Sequence, residues 1–158
     1  MDNENKLLMM YEKIHRWPFG QWLFSKAVCF KAPYFGSISP RITLLENSRC
    51  EAYIKDHRAV HNHIGTVHAI ALCNLAELCA GVMTDASLPH DMRWIPKGMT
   101  VAYLKRAKGK MYATATPMIP IVSSDTGYDL PVNIDVRDAA SDKVFHAEIQ
   151  MWLSPKKP

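Results

Sequence analysis

Hydrophobic positions change their spacing several times along this chain, and each change marks an element. In residues 5–15, Leu7, Leu8, Tyr11 and Ile14 recur every three or four positions, which predicts an amphipathic helix. Pro18 interrupts it, and a second helical piece over about 18–27 carries Phe19, Trp22 and Leu23. Residues 32–40 hold Pro33, Gly36 and Pro40 and read as a loop. The period then falls to two. Ile42 and Leu44 alternate with Arg41 and Thr43, Glu46-Asn47-Ser48 supplies a turn, and Cys50, Ala52 and Ile54 alternate with polar neighbours, a hairpin with one buried face.

A polar connection over 57–68 leads to Thr66, a residue type that caps helices. Val67–Met83 then reads as a helix that is apolar nearly all round and so buried on most sides. After a loop at 84–92, alternation returns in four strands. Met99, Val101 and Tyr103 mark the first, Met111–Met118 the second, Val132, Ile134 and Val136 the third, and Val144–Leu153 the last. Turns fall at Lys108-Gly109-Lys110 and Asp138–Asp142, and a loop at 123–130. This order predicts an α+β fold, a single antiparallel sheet wrapped around one long central helix, with an N-terminal helical extension. Ala69, Ala71, Ala76, Ala80 and Gly81 let the sheet approach that helix closely. The expected division is 1–31 for the extension and 32–158 for the wrapped unit, one domain overall.

Composition narrows the class. With 158 residues, the chain can bury one sizeable core, and 48% hydrophobic with 22% charged residues excludes a disordered segment. The net charge of +4 permits an anionic ligand such as a nucleotide phosphate without demanding nucleic acid. Cys29, Cys50, Cys73 and Cys79 show no CxxC spacing, and no signal-type apolar run follows MDNENK, so a cytoplasmic setting is expected. The most apolar stretch contains His68, Asn74 and Glu77 and is short for a bilayer, so no membrane span is expected.

Glu77 is the residue least at home in its surroundings. Leu75, Ala76, Leu78 and Cys79 flank it, and no basic residue occupies its i±3 or i±4 positions. An ionised carboxylate buried without a partner costs several kcal/mol, so Glu77 either lies on an exposed stripe, meets a distant Arg, or serves as a general base or nucleophile. The run Asn62-His63-Ile64-Gly65-Thr66-Val67-His68-Ala69 opens the helix, where free backbone N–H groups and the helix dipole favour a developing negative charge, though every helix start has these. His68 and Glu77 are nine residues apart, on opposite faces and on the order of 13 Å along the axis. They cannot share a site within one chain, whereas two copies about a two-fold axis can bring one helix start to the other's glutamate.

The pattern N-x-x-G-x-x-H-A-x-x-L-x-x-L-A-E, Asn62 to Glu77, resembles the signature of hotdog-fold acyl-CoA thioesterases of the PaaI-like kind. With PYFGSISPR, NHIGTVHAIALCNLAE and MRWIPKGMTV, it is closest to a domain-of-unknown-function branch of that superfamily, over residues 32–154. The resemblance implies a hotdog fold and thioester hydrolysis at a dimer interface, in a homodimer or a dimer of dimers. Glu77 would activate water or attack the carbonyl, Ala69 would give its backbone N–H to the oxyanion, and Asn62 would position water or the thioester. Gly65, Thr66, His68 and Ile70 would line the substrate site. Ala69 and Ile70 stand where the family has glycines, and Pro96 falls near a serine of some relatives.

Lys105 and Arg106, beside Lys108 and Lys110, are candidates for the phosphates of CoA, or a solvated turn. His57, His61, His63 and His68 cluster, but Asp56 is the only carboxylate near them, and neither a metal nor a cofactor is expected. Trp17, Phe19, Trp22 and Phe24 are expected in the core or an interface rather than a membrane. The alternative to hydrolysis is a hotdog protein that binds an acyl-CoA or fatty-acyl ligand without turnover. A hydratase or dehydratase on the same fold is a third class, although its signature is not visible here.

Overall fold

The long apolar helix sits where its sequence places it, at the centre. In the computed structural model, which describes residues 5–156, this helix, α3, spans Ala69–Ser87 and buries thirteen of its 19 residues. It is preceded by α1 (Lys6–Ile14), α2 (Gly20–Lys31), a 3-10 turn (Pro33–Ile38), β1 (Arg41–Glu46), β2 (Arg49–Ile54) and a short 3-10 turn (Arg58–Val60). It is followed by β3 (Met92–Tyr103), β4 (Met111–Pro117), β5 (Tyr128–Arg137) and β6 (Lys143–Pro155). The strands form one antiparallel sheet in the order β1-β2-β4-β5-β6-β3. This is the hotdog arrangement, a sheet curled around one helix.

Alternation along each strand gives the sheet its inner face. On β5, Leu130, Val132, Ile134 and Val136 are fully buried; on β6, Phe145, Ala147, Ile149, Met151 and Leu153 join them. Leu75, Leu78, Cys79 and Met83 of α3 pack into this concave surface. Among the described residues α3 is the one helix long and apolar enough to cross a membrane, and the sheet buries most of it.

The two sheet edges are treated differently. The N-terminal helices close the β1 edge: Tyr11 Oη (2.8 Å) and Gln21 Nε2 (3.1 Å) donate to the Thr43 carbonyl, and the Ile42 N–H donates to Ser25 Oγ (2.8 Å). Thr43 falls at a register shift of the β1–β2 pair, which explains why its carbonyl looks to the helices. At the other edge β3 pairs, among the described residues, only with β6, and its middle stays exposed. Lys97 is the extra residue of a bulge between Pro96 and Gly98, which suits an edge strand that tolerates proline.

Several expectations shift. Thr66 does not cap α3. It is buried, with its hydroxyl taken by Asn62 Nδ2 at 2.8 Å, and the cap is His68, whose Nδ1 accepts from the Ile70 N–H at 3.0 Å. The helix also passes Met83 to reach Ser87, and within it Thr84 and Ser87 satisfy their hydroxyls on the Ala80 and Met83 carbonyls. Residues 33–38 form a 3-10 turn rather than an irregular loop, α2 extends to Lys31, and β3 begins at Met92. Of the aromatic cluster near the N-terminus, only Phe24 is buried, while Trp17, Phe19 and Trp22 are exposed in the single chain.

This burial pattern sets an expected contrast. Leu78→Ala removes a fully enclosed side chain and is expected to cost about 2–5 kcal/mol. Ile70→Ala on the same helix is half exposed and is expected to cost less than about 1 kcal/mol. Urea denaturation midpoints measure both, and equal shifts would contradict the burial of α3.

Candidate active site

The sheet leaves one stripe of α3 uncovered. Ile70, Cys73 and Glu77 lie along it at three- and four-residue spacing, Ile70 exposed and the other two half-buried between fully buried neighbours. The edge strand β3 touches this stripe at two places. Near the start of the helix, Tyr103 Oη and Cys73 Sγ share a hydrogen bond of 3.3 Å. Toward the end, the Trp94 indole lies over Gly81, where an added Cβ would meet it at 3.1 Å, and its Nε1 donates to Asp85 Oδ1 at 2.5 Å. Glu77 occupies the helical turn between those two contacts. Its carboxylate takes part in no ion pair among the described residues. Partial exposure is what makes an unpaired carboxylate tolerable in so apolar a helix.

At the helix start, the first-turn amides can be accounted for one by one. Ile70 N–H goes to the His68 ring, and those of Ala71 and Leu72 go to the His68 carbonyl. The Ala69 N–H makes no hydrogen bond among the described residues. It is therefore the one donor at the positive end of α3 still available to a negative oxygen. Because His68 Nδ1 accepts, neutral His68 carries its proton on Nε2, and its ring is exposed at the same end.

The loop before the helix is braced by Asn62. Its Oδ1 accepts from the Ile64 and Thr66 N–H groups at 3.1 and 3.0 Å, and its Nδ2 donates to Thr66 Oγ1. Gly65 turns this loop at φ +73°, and an isolated bridge joins His61 to Val67. The amide oxygen of Asn62 is thus already spent on two backbone donors, which makes it a positioner of the helix entry in the free chain. Lys105 and Arg106 follow β3, in a segment tied to the helix entry by the Val67 N–H donating to the Ala107 carbonyl at 2.8 Å. Lys105 pairs with Asp142 at 2.8 Å, which holds its ammonium above the usual lysine range. His61 is bound to Asp56, whose carboxyl is held below its ordinary range by that bond and by the Gly109 N–H.

The structure therefore gathers Asn62, Gly65, Thr66, His68, Ala69 and Ile70 at one end of α3 and sets Glu77 two turns away. Cys73 and Tyr103 were not anticipated. The Tyr103 hydroxyl is pushed up to about 12, first by its bond with Cys73 and then by burial, so it stays protonated. Cys73 lies one turn before Glu77, so spacing alone places it on the same stripe; the approach of Tyr103 depends on strand pairing, which spacing does not encode.

A family model described as a domain of unknown function, DUF4442, matches residues 20–153. Among solved structures, a genomics target 40% identical to this chain superposes with a TM-score of 0.81 over 95% of this chain and 99% of its own. A protein of unknown function from Pseudomonas aeruginosa, called a probable thioesterase, is 20% identical with a TM-score of 0.74, covering 85% and 95%. A thioesterase from Haemophilus influenzae is 15% identical with a TM-score of 0.68, covering 77% and 82%. These last two likenesses establish the fold alone. No curated protein matches the chain.

The free amide sets up a clean substitution. Ala69 is the first helical residue, the position where proline is tolerated, and His68 before it has ψ 141°, as a residue before proline requires. Ala69→Pro deletes the N–H and breaks no hydrogen bond among the described residues, so stability is expected to change by less than about 1 kcal/mol in urea denaturation. A larger loss would show that this amide holds the fold together.

Proposed function

The chain belongs to the DUF4442 family, a branch of the hotdog thioesterase superfamily, and we propose that it hydrolyses acyl thioesters, acyl-CoA among them, at a site shared by two copies of the chain. The observation that carries this reading is the unpaired Glu77 carboxylate on the uncovered stripe of α3, together with the unpaired Ala69 N–H on the same helix. A base and an oxyanion donor are what acyl transfer to water needs. Fold neighbours that are themselves called thioesterases support the choice of reaction.

Distance favours two copies. Ala69 and Glu77 are eight residues apart, about 12 Å along the helix, whereas the carbon and oxygen of a carbonyl are only about 1.2 Å apart. A thioester whose oxygen is held by the Ala69 N–H lies two helical turns from the Glu77 backbone of the same chain, and a second copy can present its own Glu77 more directly. A two-fold axis that sets two α3 stripes against each other in opposite directions brings the Glu77 of one copy to the Ala69 of the other, and makes two such sites. The open β3 edge supplies the means, since its unpaired backbone is a template for a second β3.

The chemistry then balances without a cofactor. Glu77 takes a proton from water as the water oxygen bonds to the carbonyl carbon. The carbonyl oxygen becomes an oxyanion held by the Ala69 N–H. Collapse re-forms the C=O bond and breaks the C–S bond; the thiolate leaves with the proton Glu77 had taken, and the acid remains. His68 and Ile70 stand at the helix start beside the Ala69 amide, and the exposed Arg106, in the segment after β3, adds positive charge that favours an anionic substrate.

Glu77→Gln keeps the shape and removes the base. Thiol release from a panel of acyl-CoAs is expected to fall about a hundredfold or more, while the ligand still binds. An equal rate in the variant would end the mechanism. A parent protein that binds acyl-CoA and releases no thiol from any of the panel would instead establish the binding role without turnover.

A further inference from the structure

A second pocket lies apart from the Glu77 stripe. Where α2 crosses the ends of β1 and β2, a cleft of about 180 Å³ opens. Lys26, Arg41, Lys55 and His57 stand in its wall with the rings of Trp22 and Tyr53, and no carboxylate lines it. Among the described residues, Lys26, Arg41 and Lys55 take part in none of the ion pairs. Lys97, Lys105 and Lys143, elsewhere on the surface, each have an aspartate at 2.8 Å.

The sequence explains the missing counter-charge. Lys13, Arg16, Lys26, Lys31 and Arg41 fall in a stretch, 13–45, without a single Asp or Glu. The nearest carboxylate along the chain from Lys55, that of Asp56, is bound by His61 and by the Gly109 N–H at 2.6 Å. Lys110 adds another positive charge, its Nζ 3.5 Å from the centre of the Tyr53 ring. Cations gathered without an anion repel one another, an arrangement that favours an anionic ligand and attracts it from solution.

The donors fit one chemical class. Arg41, half-buried, offers the planar fork that matches a phosphate, and two lysines beside it supply point charges. Lys110 covers one side of Tyr53, while the Trp22 indole is 44% exposed and offers a face on which a flat base can stack. We propose that this pocket binds a phosphorylated nucleoside, its phosphates among Lys26, Arg41 and Lys55 and its base on Trp22.

The location gives the nucleotide a use. Gly36 and His57 belong to this pocket. Ser37 and Ala59–His61, next along the same two segments, wall a second cleft of about 180 Å³ that reaches His68 and Ile70 at the start of α3. A nucleotide held here can send a flexible arm along that cleft toward the Ala69 N–H. In that role the ligand is the nucleotide end of coenzyme A; this identification rests on the hydrolase reading, and the nucleotide site itself does not.

Calorimetric titration with adenosine 3′,5′-bisphosphate, ADP and inorganic phosphate tests both parts. The bisphosphate is expected to bind the parent protein, and its affinity to fall tenfold or more in the Lys26→Gln/Lys55→Gln variant and also on raising the salt. Both lysines are exposed, and an unchanged urea midpoint confirms that the variant is folded. Trp22→Leu is expected to weaken the bisphosphate and leave inorganic phosphate unaffected. Failure of the parent to bind the bisphosphate, equal binding by the double variant, or a loss confined to Lys105→Gln or Arg106→Gln would overturn the proposal. ADP binding as tightly as the bisphosphate would uphold a nucleotide site and overturn the coenzyme assignment. None of these probes contains a thioester, so a chain that hydrolyses nothing is still tested.

Discussion

A single sheet of six strands cannot enclose a helix on every side, and the architecture follows from where it stops. It covers the faces of α3 that carry Leu75, Leu78, Cys79 and Met83 and stops short of the stripe that carries Ile70, Cys73 and Glu77. Were that stripe closed, Glu77 would be an unpartnered buried carboxylate at a cost of several kcal/mol. Left open, it is a half-solvated base in an apolar wall, held between the Cys73–Tyr103 contact and the Trp94 indole on Gly81. The helix is both the centre of the core and, on one narrow side, the floor of the proposed site.

The edges of the sheet follow the same division. The N-terminal helices look like an addition to the fold, yet three of their side chains bond the backbone of β1 and seal that edge. This leaves β3, twelve residues long, as the edge without a neighbour. The open edge borders the open stripe, since Tyr103 and Trp94 belong to β3. A second copy that pairs with β3 therefore arrives beside Glu77. The same α2 that seals β1 also carries Trp22 and Lys26 into the wall of the basic cleft proposed to hold a nucleotide.

Much of this was legible in the sequence, because period and burial are local. Alternation at 42–54, 111–118, 132–136 and 144–153 named strands that the structure contains, and the all-round apolar run named the central helix. What was not legible depended on partners distant in sequence or on unusual uses of common residues. Thr66 has the composition of a cap, but Asn62 claims its hydroxyl, and a histidine ring does the capping instead. The strand marked by Met99, Val101 and Tyr103 begins earlier, at Met92, because an edge strand absorbs Pro96 and Gly98 at a bulge. Thr84, Asp85 and Ser87 read as loop; inside the helix they bond Ala80, Trp94 and Met83. Glu77 stood out from its neighbours alone, whereas the pocket of Lys26, Arg41 and Lys55 joins two strands and a helix, which no spacing rule connects.

The account turns on one claim, that Glu77 and the Ala69 N–H serve the same thioester from different copies of the chain. Two defective chains with different affinity tags, Glu77→Gln and Ala69→Pro, can be co-expressed and the mixed assembly purified through both tags. Each parent variant alone lacks one group in every site. In a mixed dimer, one site joins an intact Glu77 to an intact Ala69, and the other lacks both. Thiol release from acyl-CoA should therefore return to about half the unmodified rate per dimer, far above either variant alone, where loss of one oxyanion donor or of the base costs about a hundredfold or more. A mixed dimer no more active than the two variants apart would contradict a shared site.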